Sequence, residues 1–382
     1  MLNIVGIADA QSVHTHKWAN YLVERGHHVH LLSYAPVPTP RPQGLDPRVS
    51  IADWSLPNLH VKRFWITLRA LHRLRAAIRQ QRADLVHAHY LGTGAWYAAL
   101  AGHHPLVASV MGGGDVQGTA WRPRAITERL LSPFALRRAD LVLCWSKNLA
   151  RVVRPLLRAG APAEVLVGGV DQTLFTRHHD VAAVRRRLGL EPGDFVILSP
   201  RLFWPRQNIE TVVRAMPEIL ARQPRARLVL IKYQADSYPD HEVRVERLID
   251  ELGVRGAVRS LPQIPNREMP AYYSASDCTV SIPSTDGTPM TVMESLACGT
   301  PAVISDLDDY DPEIFVHGQT VVRVPVADPA GLAAGILTLA ASSDLRERIA
   351  CRGRQMAAER ADYQAEMARL EKLYEQLVRQ RP

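Results

Sequence analysis

The sequence predicts an α/β protein of two doubly wound domains, each a parallel sheet covered by helices on both faces. Three observations lead there. The chain has 382 residues, enough for two domains of ordinary size. Nearly half of them are apolar (47%), which supports a large core and argues against disorder. Short apolar runs alternate with helical stretches along the chain, the pattern of strands buried on both faces of a parallel sheet.

In the first half the expected strands are 2–8 (LNIVGIA), 28–34 (HVHLLSY), 84–90 (DLVHAHY), 105–111 (PLVASVM), 140–146 (DLVLCWS) and 163–168 (AEVLVG). Between the first two lies the helix THKWANYLVERG, closed by Gly26 as a C-terminal cap. The second half repeats the scheme at 195–200, 226–232, 257–261, 278–283, 301–305 and 320–324. Segment 171–194 is charged, turn-rich and without a strong strand, so it marks the junction. The expected domains are 1–180 and 181–357, followed by a final helical segment over 358–382. No repeat or low-complexity tract interrupts this order.

Several chemistries are excluded by what the loops lack. The first strand of each half leads into a loop without glycine (ADAQSVHTH and SPRLFWPRQN), so no Gly-x-Gly-x-x-Gly dinucleotide fingerprint is present. There is no phosphate-binding Gly-x-x-x-x-Gly-Lys-Ser/Thr loop and no Gly-x-Ser-x-Gly elbow. Cys144, Cys278, Cys298 and Cys351 form no Cys-x-x-Cys pair and read as reduced, intracellular thiols. The N-terminus reads as neither a signal nor a targeting leader, and no stretch reaches the roughly 20 apolar residues of a spanning helix. A cytoplasmic location is expected. Residues 1–180 hold 21 Lys/Arg against 11 Asp/Glu, whereas the remainder holds 25 against 27. The basic first half suits an acidic partner, or is simply an Arg-rich solvated face. No nucleic-acid recognition motif accompanies the charge.

Doubly wound domains bind ligands at the carboxyl ends of their strands, so two facing domains would share a cleft. One such loop is STDGTPMTVMESLACGTPAV (284–303), which holds Asp286 and Glu294 on either side of a turn. Thr288 and Pro289 suit the N-cap and first position of a helix that Gly299 and Pro301 end. The first-turn amides of Met290, Thr291 and Val292 would then favour a phosphate. Glu294, one turn further in, suits a vicinal diol such as a ribose, and Asp286 suits hydroxyls on the far side of the phosphate. A nucleotide sugar carries diol, diphosphate and polyol in that order. Read alone, the pair is equally a turn aspartate and an acid near a helix N-terminus.

The segment DGTPMTVMESLACGTPAVIS resembles the Glu-x7-Glu segment of glycosyltransferase family 4, with Asp286 in place of the first Glu. SPRLFWPRQNIETVVRAM is similar to the family's Gly-Arg-Leu…Lys-Gly segment and puts Arg201 and Arg206 at its two cationic positions. SLPQIPNREMPAYYSASDCTVSIPS resembles the strand-loop-helix over the nucleobase, and Ile264 in it becomes a donor contact together with Gly287, Thr288 and Pro289. RGHHVHLLS, DLVHAHY and VGGVDQTLF match the N-terminal domain and the connection. The resemblance implies the GT-B fold, retention of anomeric configuration and an activated sugar donor. It also implies a final helix (358–378) crossing back onto the N-terminal domain. The donor is expected to be a UDP-hexose or UDP-N-acetylhexosamine, and the acceptor a hydroxyl of a glycan, lipid or small molecule. No cofactor and no metal are expected, because Arg201 and Arg206 can neutralise the leaving diphosphate. The Asp306-Leu307-Asp308 triplet reads as an incidental loop motif.

Three departures from the family pattern stand out. Met111 occupies the position where the family keeps a His near the sugar, ahead of Gly112, Gly113, Gly114 and Asp115. The first loop lacks paired glycines, leaving Ser12, His14 and Thr15, with His89 of a later strand, as candidate acceptor or sugar contacts. Asp286 is one methylene shorter than Glu. Finally, segment 62–82 has seven Lys/Arg, no acid, and Phe64, Leu68, Leu71, Leu74 and Ile78 at helical spacing. It reads either as a helix packed on the sheet or as one resting on an anionic membrane. The competing functional readings are an epimerase or phosphorylase on the same architecture and a non-catalytic nucleotide-sugar binder. Oligomeric state is not legible.

Overall fold

The computed structural model describes residues 1–37, 41–54, 64–112, 124–177, 180–232 and 238–380, without the side chains of 124–129. The chain divides into two compact units, Met1–Gly168 with Gln364–Pro382, and Gly169–Tyr363.

In unit 1 the strands are β1 (Asn3–Ala8), β2 (His28–Ser33), β3 (Ser50–Asp53), β4 (Leu85–Ala88), β5 (Leu106–Val110), β6 (Leu141–Cys144) and β7 (Ala163–Val165). They form one parallel sheet in the order β3-β2-β1-β4-β5-β6-β7. Helices α1 (Val13–Glu24), α2 (Phe64–Gln80), α3 (Thr93–Ala101), α4 (Arg124–Arg138) and α5 (Lys147–Val153) connect them. The winding reverses between β1 and β4, where Ile4 pairs with both Val29 and Leu85. Gly26 closes α1 with φ of 88°, its amide bonded to the Val23 carbonyl, as the sequence requires.

Unit 2 repeats the design with β8 (Phe195–Ser199), β9 (Ala226–Ile231), β10 (Val258–Leu261), β11 (Cys278–Ser281), β12 (Ala302–Ser305) and β13 (Val322–Val324), ordered β10-β9-β8-β11-β12-β13. Its helices are α6 (Val181–Arg187), α7 (Ile209–Arg222), α8 (Pro239–Glu251), α9 (Met269–Ala275), α10 (Met290–Ala297), α11 (Pro329–Ala341) and α12 (Ser343–Arg360). Here the winding reverses between β8 and β11. One apolar core joins Ile197, Leu228, Val280 and Val303 of the sheet to Val212 and Met216 of α7 and Ile336 of α11. The last helix, α13 (Tyr363–Arg379), groups with unit 1 from Gln364 onward.

Every expected strand is present. The edge strand β3, which the sequence reading did not include, pairs with β2. The expected boundaries at 180 and 358 shift. Residues 169–180 belong with unit 2, where Phe175 is buried against Tyr273. The segment 358–378 is not one helix. Its first residues finish α12, and the chain breaks at Ala361 and Asp362. There the Val170 amide bonds to the Ala361 carbonyl (2.6 Å) and the Tyr363 amide to the Val170 carbonyl (3.1 Å).

Helix α13 is tied to unit 1 along its length. Glu366 accepts the Val167 amide, Arg369 pairs with Glu164, Glu371 meets His27 and Arg25, and Tyr374 reaches His87. The expected apolar stripe of α2 divides in two. Leu74 and Ile78 are buried with Ala70, Leu71 is half-buried, and Phe64, Trp65 and Leu68 are 61%, 57% and 55% exposed.

Gly169 adopts φ of 72°, and a Cβ there would lie 2.6 Å from the Tyr363 Cα. A left-handed conformation alone costs a residue with a Cβ roughly 1–2 kcal/mol. We expect Gly169→Ala to lose clearly more than that in urea denaturation, because backbone rather than a movable side chain blocks the new methyl. Gly160 has φ of 81° and open space around it, so Gly160→Ala should lose only the conformational part. Equal losses at the two positions would contradict the close approach.

Candidate functional site

In unit 2 the site grows from the carboxyl ends of β8 and β11, the strands that flank the reversal of winding. Such ends leave loops unopposed and are where doubly wound sheets hold ligands. The loop after β8 carries Arg201 and Arg206, and the loop after β11 carries Asp286. Asn208 stitches them together. It sits in the left-handed region (φ 54°) at the N-cap of α7, and its amide donates to the Ile282 carbonyl (2.8 Å) and Ser284 Oγ (3.0 Å). The Ser284 amide returns a bond to the Arg206 carbonyl (2.8 Å).

Arg201 is held by all three guanidinium nitrogens. Nε donates to Gln207 Oε1 (2.8 Å), Nη1 to Thr291 Oγ1 (3.1 Å) and Nη2 to Asp286 Oδ2 (2.8 Å). The side chains of the Arg201–Asp286 pair are 12% and 19% exposed, so each charge depends on the other for compensation. Arg206 takes a different course. It is exposed, its guanidinium lies 4.3 Å from the Trp204 ring centre, and among the described residues it has no carboxylate partner.

Helix α10 begins one residue later than expected. Pro289, not Thr288, is the N-cap, because the Pro289 carbonyl accepts the amides of both Val292 (2.9 Å) and Met293 (3.1 Å). The Val292 amide is therefore bonded, which corrects its expected place among the anion-binding amides. Among the described residues, no backbone carbonyl accepts the amides of Met290 and Thr291. The Gly287 amide bonds to Asp286 Oδ1 (2.9 Å). Glu294 lies one turn into α10, 7% exposed, and accepts a bond from the Tyr273 hydroxyl (3.2 Å). Ser295 locks the helix onto the sheet through Thr279 (2.7 Å) and the Thr300 carbonyl (2.9 Å).

The structure thus brings together Arg201, Asp286 and Thr291. It sets Glu294 deeper, and it places Ile264, an apolar side chain, in burial after β10. Sequence reasoning missed Gln207 and Tyr273. Gln207 carries no motif beyond its place beside Arg206, and Tyr273 lies among apolar residues that read as core. Asp306 of the Asp306-x-Asp308 triplet is paired with Arg323, in keeping with a loop role.

In unit 1 the corresponding loops follow β1 and β4. His14 packs edge-on against Trp145 (4.9 Å between ring centres). His87 lies on β4 and His89 one residue beyond its end, two positions apart in the sequence. A small cavity of about 20 Å³, room for one water, is lined by these three histidines with Trp18, Ser109 and Trp145. His87 bridges the Tyr374 hydroxyl (2.6 Å) and Ser109 Oγ (2.7 Å). Thr15, His89 and Met111 are buried within unit 1, whereas Ser12, His14 and Gly112 are half-buried. Burial thus narrows the expected acceptor contacts, because Thr15 is fully buried and the His89 ring packs near those of Trp18 and Tyr90. Gly113, Gly114 and Asp115 lie outside the described residues. One group of possible metal ligands occurs among the described residues, His27, Glu371 and Glu375. The His27 Nδ1 accepts the Leu2 amide (3.1 Å), so its Nε2 carries the proton that faces Glu371.

The family described as glycosyl transferases group 1 matches residues 180–356, and the one described as Glycosyltransferase Family 4 matches residues 11–174. The chain belongs to glycosyltransferase family 4. This family 4 chain is 28% identical over 290 residues to D-inositol 3-phosphate glycosyltransferase of Kineococcus radiotolerans, covering 68% of this chain and 64% of that protein. It is 28% identical over 251 residues to the GDP-mannose-dependent alpha-(1-6)-phosphatidylinositol monomannoside mannosyltransferase of Mycolicibacterium smegmatis, covering 63% and 64%. The chain therefore spans just under two-thirds of the length of both relatives. Its fold matches sucrose-phosphate synthase from Thermosynechococcus elongatus (TM-score 0.82, 20% identity, 98% and 99% of the chains). It also matches the Anabaena HepE protein in complex with UDP-glucose (TM-score 0.82, 17% identity, 99% and 100%). Both neighbours share the GT-B architecture of this family 4 chain.

Burial holds His87 and His89 of the family 4 chain's first unit neutral. The His87 pKa is pushed down to about 3, and His89 falls well below 6.5, through burial first and then through His87 and His14. Below pH 6.5 the unfolded chain binds protons that the folded chain refuses. Stability is therefore complete above about pH 7 and falls as pH drops, by roughly 1.4 kcal/mol per pH unit for each such histidine. Melting curves between pH 7 and pH 5, above the carboxylate range, should show this loss, and His87→Gln should flatten it. A melting temperature independent of pH in that window would show that these rings are not held neutral.

Proposed function

We propose that this chain is a metal-independent, retaining glycosyltransferase that moves a sugar from a nucleoside diphosphate sugar to a hydroxyl acceptor. The observation that carries the reading is Arg201, fixed by Gln207 and Thr291 at the N-terminal turn of α10, next to the amides of Met290 and Thr291, which no backbone carbonyl among the described residues accepts. A diphosphate there meets a guanidinium and a helix N-terminus together. Glu294 accepts the ribose hydroxyls, and Asp286 accepts sugar hydroxyls once it is released from Arg201. As the anomeric C–O bond breaks, negative charge gathers on the diphosphate, where Arg201 stabilises it and Arg206 adds a second cation. The acceptor oxygen bonds to the anomeric carbon from the same face, and its proton passes to the leaving phosphate.

The donor is a UDP-hexose or UDP-N-acetylhexosamine. Support comes from HepE, solved with UDP-glucose, while the GDP-mannose of the Mycolicibacterium relative makes guanine the base to test against. A thermal-shift screen of UDP-, GDP-, ADP- and TDP-sugars decides between them. A ligand at 100 times its dissociation constant should add roughly 2.7 kcal/mol. With the selected donor, Arg201→Ala should lower turnover roughly 10²–10³-fold. Glu294→Gln should weaken donor and free nucleoside diphosphate alike, and EDTA should have little effect. Activity lost in EDTA and restored by Mg²⁺ or Mn²⁺ would overturn the metal-free reading, and an inverted anomer by NMR the retaining one.

The acceptor side belongs to the basic unit 1, and helix α2 rests on an anionic lipid surface. No helix of the described residues is long and apolar enough to cross a membrane. The support is the exposed trio Phe64, Trp65 and Leu68 beside exposed Arg69 and Arg73 on a helix with no acid, a combination that suits a headgroup boundary. The chain should co-sediment with vesicles containing phosphatidylglycerol and not with phosphatidylcholine alone. Trp65→Ser with Phe64→Ser should abolish the binding. Equal sedimentation of this double variant would remove α2 from the membrane.

A further inference from the structure

Tyr310 lies in the loop after β12 and is 2% exposed, yet among the described residues its hydroxyl has no hydrogen-bond partner. A buried hydroxyl without a partner is costly, so such a group invites a functional explanation. The loop that carries it is pinned to the Asp286 loop at two points. Thr285 Oγ1 donates to Asp309 Oδ2 (3.3 Å), and Ser305 Oγ donates to the Pro283 carbonyl (2.7 Å). The Tyr310 ring packs on Phe315 (5.1 Å between centres). Burial raises the phenol pKa well above 10, and among the charges acting on it Asp286 comes first, followed by Arg201, Asp309 and Arg323. The phenol therefore stays protonated and can only be a neutral donor or acceptor. The cation nearest in sequence to this corner, Arg323, is committed to Asp306 and to the Leu307 carbonyl.

The arrangement has an internal tension. Arg201 is the guanidinium that the proposed donor's diphosphate needs, and Asp286 holds it. Once Arg201 turns to the diphosphate, a poorly exposed carboxylate loses its countercharge, which is strongly unfavourable unless another donor replaces it. Resting on the donor reading above, we propose that Tyr310 is a positioning residue for Asp286. Its hydroxyl becomes the donor to the Asp286 carboxylate when Arg201 engages the diphosphate. The hydroxyl is without a partner in the ligand-free protein because Arg201 occupies the carboxylate, and it is satisfied only in the complex. Asp286 is then held in place for the sugar hydroxyls while Arg201 serves the leaving group.

The test is Tyr310→Phe, which keeps the ring and removes only the hydroxyl, measured with UDP, UDP-glucose and GDP-mannose. Removing an unsatisfied hydroxyl should raise the melting temperature of the free protein by roughly 2–4 °C. Affinity for free UDP should stay within about twofold. The kcat for hydrolysis of the preferred sugar nucleotide should fall about tenfold, with KM nearly unchanged. In an Asp286→Asn background the same substitution should change kcat by less than about twofold, because the two residues act as a unit. A purely structural tyrosine would move stability and not this coupling. Unchanged kcat in Tyr310→Phe, or an equal loss with and without Asp286, would overturn the inference while leaving the donor reading intact. A lower melting temperature would show that the hydroxyl is already bonded in the free protein, and would overturn the hand-over too. If the unaltered protein neither binds nor hydrolyses any sugar nucleotide, the donor reading itself has failed and the inference falls with it.

Discussion

A parallel sheet buried on both faces has no room for chemistry along its strands, and this constraint organises each unit. Side chains of β1, β4, β8 and β11 are consumed by packing, so polar function is confined to the loops at their carboxyl ends. The crossing helices change face between β1 and β4 and between β8 and β11, and there neighbouring loops part instead of covering one another. Arg201 and Asp286 stand at one of these points, and His14 and His89 at the other. The residues gather because the winding reverses, and the bonds from Asn208 hold the two loops of unit 2 in a fixed register.

The two units solve the electrostatics of their switch points differently. In unit 2, charges of opposite sign are kept together in partial burial, and a permanent guanidinium fits that task because it does not discharge when desolvated. In unit 1 the imidazoles of His87 and His89 are driven neutral by burial, and His87 is hydrogen-bonded to Ser109 and to Tyr374 of the last helix. The first arrangement suits an anion that gains charge during a reaction. The second suits a rigid, uncharged wall, with the last helix anchored in it by a tyrosine and by the Glu371–His27 contact.

Most of the fold was legible because burial on both faces writes a simple signal, a short apolar run between helices. The elements that escaped are those whose existence depends on neighbours. Strand β3 is four residues of mixed polarity, formed because the edge of β2 offers it a ladder. The break between α12 and α13 contains no Gly or Pro, and it arises from the pairing of Val170 with the backbone at 361–363. The start of α10 was displaced by one residue because both Thr288 and Pro289 suit a helix N-terminus, and only the acceptor of the Val292 and Met293 amides distinguishes them.

The sequence by itself determined the α/β class, the strand positions, the family resemblance and the identity of Arg201, Arg206, Asp286 and Glu294, since residue type and spacing are local properties. Tertiary structure alone decided which of these meet. Arg201 and Asp286, 85 positions apart, form an ion pair, while Arg206, on the same loop as Arg201, turns away onto Trp204. Tertiary structure also decided that Phe64 and Leu68 of an apparently continuous stripe stay exposed while Leu74 and Ile78 are buried. And it buried the phenol of Tyr310, within an acidic loop, without a partner among the described residues. The physical reason is the same in each case: charge compensation, burial and hydrogen-bond satisfaction are relations between residues distant in the chain, and no local pattern encodes them.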